Sequence, residues 1–472
     1  MLKKICAALI LLLGGLNQVH ANTTSVSLLH PFKGPLGDAF NALIEQYNTN
    51  APAPIMLYSF DEAKRTYEDI HAAIQNNFDG NTPPCIVFDY EMGTADDQNN
   101  THLIGAEEFI EEVNKLSPMD ALKLDVERIT PTLRRFYSDA KGRLAAIPFN
   151  SNTVVVYVNT AFFKDKHFPK TWDEFEKVAK NLKQKYPDKK IIAFGWLHGH
   201  LFDQWAAING TAIASENNGL SGQNPKLTLT NPQWTDWLVF IKNLYDQGII
   251  GLDQGNDAEK NFNEGKTIFL AQGTGRVPFI KLDPKHVRVG LFPKFSASKF
   301  KRYTSISGGG AFWIYRDTLD AYHTASSVEK DKLLLKLRSM RDFLVFLMSD
   351  NVQNQWEADT GYLSVLAKTP QKISYKNNLF KETATIGRTS RENFSVSDVS
   401  SGIKMPHYQD IRKIQLETLI AFLKDDKAYF DAHQKYLIQK KFEGNIHNKA
   451  EAALEVIQNK GNELLDAKKC TC

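Results

Sequence analysis

Bond-making chemistry needs a nucleophile beside a base, or a metal-bound water, and this chain spaces neither. It has no Gly-x-Ser-x-Gly elbow, no His-Glu-x-x-His pair and no Walker loop, and its twelve histidines are scattered. His198 and His200 would set two ring nitrogens on one side of a strand, but no cysteine or acidic residue lies directly beside them to extend a zinc site. No catalytic residue, no metal and no cofactor is therefore expected. Three features could instead hold a molecule without transforming it. Glu91 directly follows Ile86–Tyr90, which reads as a buried strand, and Gly273-Thr274-Gly275 and Gly308-Gly309-Gly310 let main chain approach a bound anion closely. Taken singly, a strand-end carboxylate is more often solvated and a Gly-x-Gly more often a turn.

The elements that must position these residues follow an exported leader. Lys3 and Lys4 precede an apolar run from Ile5 to Leu16 and a small-residue site at Val19-His20-Ala21, the pattern of a cleavable signal peptide over residues 1–21. That run is shorter than the ~20 residues that span a bilayer. Removing both lysines leaves 55 basic against 54 acidic residues, taken from totals of 57 and 54, so no basic footprint for nucleic acid remains. Of the four cysteines, Cys85, Cys470 and Cys472 survive cleavage, an odd number that excludes a fully paired disulfide scaffold within one chain. At 42% apolar and 24% charged, the remaining ~450 residues exceed one core and predict two or more lobes.

Strand-like runs alternate with amphipathic helices, predicting α/β layers with mainly parallel strands. Strands are expected at Val26–Leu29, Ile55–Tyr58, Cys85–Phe88, Thr153–Val158, Lys190–Phe194, Lys266–Leu270 and in Ser305–Tyr315. Helices are expected at Tyr67–Asn76, from Thr171 as an N-cap, from Asn231, at Lys330–Met348 and from Asp410 to the end, with Gln371–Ser401 irregular.

Tyr90-Glu-Met-Gly-Thr-Ala, Ile147-Pro-Phe-Asn-Ser-Asn-Thr and Thr360-Gly-Tyr-Leu occur in order at large separations, together with Asn209-Gly, Asn217-Asn-Gly, Gly308-Gly and Gly461-Asn-Glu-Leu-Leu. On these collinear motifs the chain resembles, over nearly its whole exported length, the glycerol-3-phosphate-binding proteins of bacterial ABC importers. The resemblance implies a two-lobed periplasmic binding protein fold (type II), each lobe a layered α/β sheet domain, with the ligand cleft at a hinge. Lobe 1 is expected over 22–149 plus about 308–360, and lobe 2 over 150–307 plus about 361–472. Crossings are expected near Pro148–Asn152, Ser305–Gly309 and Gly361–Ser364.

Residue by residue, the resemblance makes Glu91 an acceptor for ligand hydroxyls, and Tyr67 and Tyr362 tyrosines whose hydroxyls reach ligand. Trp196 would lie flat against glycerol carbons. Thr274, Gly308 and Gly309 would meet the phosphate, with Thr274 where the family has serine. Asn152 likewise replaces a serine, with Ser151 adjacent. The family's phosphate-facing arginine maps onto Lys404, which keeps the charge and loses the bidentate fork. A second stacking tryptophan has no counterpart: Leu197, His198, Gly199 and His200 occupy its region, and Trp205 is the candidate substitute, beside its reading as an ordinary core residue. The implied protein is a periplasmic monomer that captures sn-glycerol 3-phosphate or a glycerophosphodiester such as glycerophosphocholine and delivers it to membrane permease subunits. A sugar or oligosaccharide importer is the alternative, and a secreted hydrolase or a scaffold stands further off.

Overall fold

In the computed structural model the chain forms two α/β lobes, described for residues 24–165, 167–222, 224–295, 301–368, 373–438 and 442–467. The expected signal peptide, Cys470 and Cys472 lie outside the described residues. Ten described strands, in chain order, are β1 (Val26–Leu29), β2 (Ile55–Leu57), β3 (Ile86–Tyr90), β4 (Leu103–Ile104), β5 (Ile147–Asn152), β6 (Val154–Asn159), β7 (Lys190–Phe194), β8 (Thr267–Gly273), β9 (Val287–Leu291) and β10 (Gly308–Tyr315). Six form one sheet in the order β2-β1-β3-β10-β4 with β5 also on β10, and four form a second, β7-β8-β6-β9.

Both sheets are mixed, a departure from the mainly parallel expectation. β1 is parallel to β2 and β3, and β7 to β8. β10 runs antiparallel to β3, β4 and β5, and β6 antiparallel to β8 and β9. The reason is connectivity: β6 and β10 each enter their sheet directly from the other one, and so run against neighbours fed by local helical crossovers. These passages lie side by side. Ser151 and Leu363 exchange backbone hydrogen bonds at 3.0 and 2.7 Å, and the hydroxyl oxygens of Thr153 and Ser305 are 2.5 Å apart.

Capping sets the helices on the strands. Thr66 Oγ1 accepts from Asp69 N–H at 3.1 Å and starts the helix Tyr67–Gln75. Thr171 does the same through Glu174 for Trp172–Lys185, which buries Trp172, Phe175, Ala179 and Leu182 at helical spacing. The segment expected to be irregular contains the helix Asn378–Glu392. Its buried face starts with Leu379 and Phe380 and continues through Thr383, Ala384, Gly387, Ser390 and Arg391, so the apolar part is confined to its first turn.

Each lobe has its own aromatic core. Phe32, Phe40, Phe88, Phe149, Phe312 and Trp356 pack under the six-stranded sheet. Trp172, Trp205, Trp234 and Trp237 fill the other. Trp205 is fully buried, 4.6 Å from Trp234 and stacked on Trp237 at 5.1 Å between ring centres, so it is a core residue and no substitute ligand wall. Cys85 is buried and free, with Sγ 3.2 Å from Ser27 Oγ.

Candidate functional site

The register of the six-stranded sheet brings three strand ends to one place. Gly308 pairs with Asn152, Gly309 with Ser151 and Gly310 with Tyr90, so the residue after β3, Glu91, lies beside the start of β10. Gly309 N–H donates to Glu91 Oε2 at 3.1 Å. Only glycine serves here, because Gly309 has φ +127° and a Cβ would fall 2.2 Å from the Asn150 carbonyl oxygen. Burial pushes the Glu91 carboxyl up, while Arg412 and the N–H of Gly309 pull it back.

These groups open into a cavity of about 530 Å³ between the two sheets, a size suited to a small ligand. Tyr67, Glu91, Asn152, Trp196, Gly308, Gly309 and Tyr362 line it. Tyr67 begins its helix and its hydroxyl meets that of Tyr362; burial raises both phenols, and Arg276 lies close to each. The Tyr362 ring stacks on Trp356 with centres 6.0 Å apart. Trp196, just past β7, presents a half-buried ring.

Three expected site residues are outside the lining. Thr274 is fully buried and acts on Asn152: its hydroxyl and the Gly275 N–H donate to Asn152 Oδ1 at 3.1 and 3.2 Å. Ser151 is fully buried at the crossing, held by Leu363. Lys404 turns away, with Nζ donating to the Ser138 carbonyl at 2.7 Å, and burial pulls its ammonium down to about 8.

The cavity lining carries Lys33, Arg65, Arg276 and Arg412, cations that sequence reading missed, and the two arginines Arg276 and Arg412 are the ones held by buried carboxylates. Arg276 holds Glu259 through Nε and Nη2, both at 2.6 Å, with its guanidinium 3.8 Å over the Phe279 ring centre. Arg412 directs Nε and Nη2 to Asp203 Oδ2, the first at 2.8 Å, and Nη1 to Met92 Sδ. Tyr408 O–H donates to Asp203 Oδ1 at 2.6 Å. The one sequence signal was Tyr408 and Arg412 at i,i+4 on the helix Tyr408–Leu423, which puts both on the same face. Asp203 belongs to a π-helical turn, Gly199–Gln204, so His198 and His200 are helical and not on a strand. Burial, then Arg412, lowers His200 to about 3, leaving a neutral ring. Gly199 has no side chain to obstruct Arg412: a Cβ there would lie 2.7 Å from Nη2.

Behind Glu91, His71 Nδ1 is 2.7 Å from Asp89 Oδ2. Burial alone would lower His71, but Asp89, then Asp96 and Asp97, hold it up at about 11. His71, Asp89 and Asp97 are the described residues whose ligand atoms are close enough to hold a metal ion. The imidazole N–H already binds Asp89 there, and Gln75 Nε2 donates to Asp97 Oδ1 at 2.8 Å.

The chain is similar to known solute-binding proteins. The bacterial extracellular solute-binding protein family matches residues 43–332. The sn-glycerol-3-phosphate-binding periplasmic protein UgpB of Escherichia coli (strain K12) is 26% identical over 374 residues, covering 77% of this chain and 80% of that protein. The UgpB of Escherichia coli O1:K1 is 25% identical over 406 residues, 84% and 87% of the two chains. Among solved structures, UgpB from Mycobacterium tuberculosis in complex with glycerophosphocholine gives a TM-score of 0.67 at 14% identity, covering 95% of this chain and all of that one. The GacH receptor of Streptomyces glaucescens, solved unliganded and with acarbose, gives 0.69 at 14% identity over 94% and 99%. At such identities the solved structures show the two-lobed fold. Among the described residues, no helix is long and apolar enough to cross a membrane.

Proposed function

Since the chain belongs to the bacterial extracellular solute-binding protein family, we propose that it is the periplasmic capture component of an ABC importer, binding sn-glycerol 3-phosphate or glycerophosphodiesters such as glycerophosphocholine. It leaves the cell interior through the cleavable leader at residues 1–21 and acts as a monomer. The observation that carries the ligand reading is the Glu91–Gly309 pair. It sets a carboxylate, oriented by a backbone N–H, to accept from ligand hydroxyls inside one cavity with Asn152, Tyr67, Tyr362 and the Trp196 ring. The curated relatives that bind sn-glycerol 3-phosphate support the same choice.

No bond is made or broken in this role. Ligand contacts residues of both lobes, lobe 1 as 22–149 plus about 308–360 and lobe 2 as 150–307 plus about 361–472, and stabilises their closed arrangement, the form that membrane permease subunits accept. Ligand donors come from Arg276 and Arg412 in place of Lys404. Both guanidiniums are already shared with carboxylates, so the phosphate is met by their remaining N–H groups and by the Asn152 amide N–H.

Thermal unfolding with sn-glycerol 3-phosphate, glycerophosphocholine, inorganic phosphate and maltose, each alone, tests this. A ligand at ~100 times its dissociation constant adds about 2.7 kcal/mol. The expected result is an upward shift with a glycerol phosphate that is lost in Glu91→Ala and in Trp196→Ala. Stabilisation by maltose alone would make the protein a sugar-importer component instead.

A further inference from the structure

The helix that carries Tyr408 and Arg412 to the cavity starts without a side-chain cap of its own, and we propose that Asp96, from the other lobe, caps it only when the lobes close on ligand. Asp96 is then a positioning residue. It stands outside the cavity lining and fixes the helix from which two lining side chains reach inward. The proposal rests on the solute-capture reading above and not on which solute is held.

The helix Tyr408–Leu423 belongs to the second lobe, where Tyr408, Ile411, Leu419 and Phe422 join the core of Trp205, Trp234 and Trp237. Its N-cap is His407, at φ +56°, and the His407 side chain makes no capping bond to the first turn. The first N–H groups of a helix have no partner within it. One of them is met from outside: His407 N–H donates to both carboxylate oxygens of Asp96, at 3.1 and 3.0 Å. Asp96 is buried on the helix Thr94–Gln98, which follows β3 of the six-stranded sheet. Its charge also meets the positive end of the helix dipole.

The segment after β3 therefore acts on the ligand and on the helix together. Glu91 lines the cavity, Met92 Sδ accepts from Arg412 Nη1, and Asp96 holds the helix start. Arg412 lies one turn beyond Tyr408, so fraying at 407 displaces both side chains. Both helix contacts cross from one lobe to the other, and opening the cleft breaks them. A contact made only in the closed form appears in ligand affinity and not in the stability of the open one.

Calorimetry on the full exported chain uses whichever of sn-glycerol 3-phosphate, glycerophosphocholine and maltose binds the wild type, so failure of the glycerol-phosphate reading still leaves the cap tested. Asp96→Ala is expected to weaken that ligand about tenfold, the contribution of one helix cap. Asp96→Asn, whose amide oxygen still accepts, should stay within about threefold of wild type. His407→Gly keeps the N–H and suits the positive φ, and should bind within about twofold. That variant separates the cap from the imidazole, whose Nδ1 is 3.7 Å from Asp96 Oδ1. Asp96 also stands 3.6 Å from His71 Nε2, so hydrogen exchange on the wild type supplies a readout independent of any variant. Amides 407–411 should gain protection when ligand is added, and the gain should be lost in Asp96→Ala at saturating ligand. Full protection of these amides without ligand, or unchanged affinity in folded Asp96→Ala, overturns the closure cap. Binding of none of the three ligands overturns it together with the capture reading.

Discussion

Glu91, Asn152, Gly308 and Gly309 stand where three strand ends of one sheet meet, whereas His200, Asp203 and Gln204 occupy a π-helical turn braced by Arg412 from 209 positions further along the chain. On the first side, position is imposed by backbone register, and the side chains need only be short. On the second, position depends on one buried ion pair and on the packing of one helix against one turn. The two sides should therefore fail differently: the strand-end side through its main chain, and the turn side through its charges.

The largest expected effect is on the turn side. Arg412→Met leaves Asp203 buried with only the Tyr408 hydroxyl, and urea unfolding should show a loss of about 3–5 kcal/mol. The double variant Asp203→Leu/Arg412→Met should recover a substantial part of it, because removing both charges leaves nothing uncompensated. A single-variant cost below about 1 kcal/mol would mean that the pair does not hold the turn.

Next comes the strand-end side. Gly309→Ala forces an L side chain to φ +127° and against the Asn150 carbonyl, at a cost of about 2–3 kcal/mol in the same assay. It also moves the N–H that meets Glu91, so glycerol phosphate binding should fall with stability. Full stability with full binding in this variant would contradict the register argument.

The smallest effect separates a residue that borders neither side. Lys404→Met should change stability by no more than about 1 kcal/mol at pH 7 and sn-glycerol 3-phosphate affinity by less than about threefold. Its pH dependence is more telling. The folded Lys404 ammonium titrates at about 8 against 10.5 for a solvated one, so between those values the unfolded chain holds more protons. The wild type then gains stability as pH rises through that window. The variant lacks the gain, and its stability relative to wild type should decline from pH 8 to 10.5. A collapse of binding in Lys404→Met would place the lysine in the cavity after all.

The same contrast explains what could be read from the sequence. Strand ends announce themselves: a β-branched or aromatic run followed by Glu91, or glycines before Ala311-Phe312-Trp313, carries local pattern, and the structure brings those residues together. Lys404 came from mapping the family's arginine onto this chain, and such a mapping says nothing about which way a side chain turns once Ser138 offers a carbonyl. Asp203 and Arg412 are each ordinary charged residues until the fold joins them. Trp205 had two readings that only its three-dimensional neighbours could separate. The helix Asn378–Glu392 was missed because beyond Leu379 and Phe380 its buried face is mostly small or polar, and β9, Val-Arg-Val-Gly-Leu, keeps the strand alternation but over only five residues.

Gly199 turns one of these features into an exclusive choice. With a Cβ 2.7 Å from Arg412 Nη2, a side chain at 199 and a guanidinium in its present place compete for the same volume. Position 199 therefore acts as a toggle: left empty, it gives the cavity an ionic wall, and filled with a ring, it evicts the arginine and gives an aromatic one. Gly199→Trp should convert the wall in a single step, so that a preference for what lies at the far end of the ligand can be rewritten at a residue that contributes no side chain of its own.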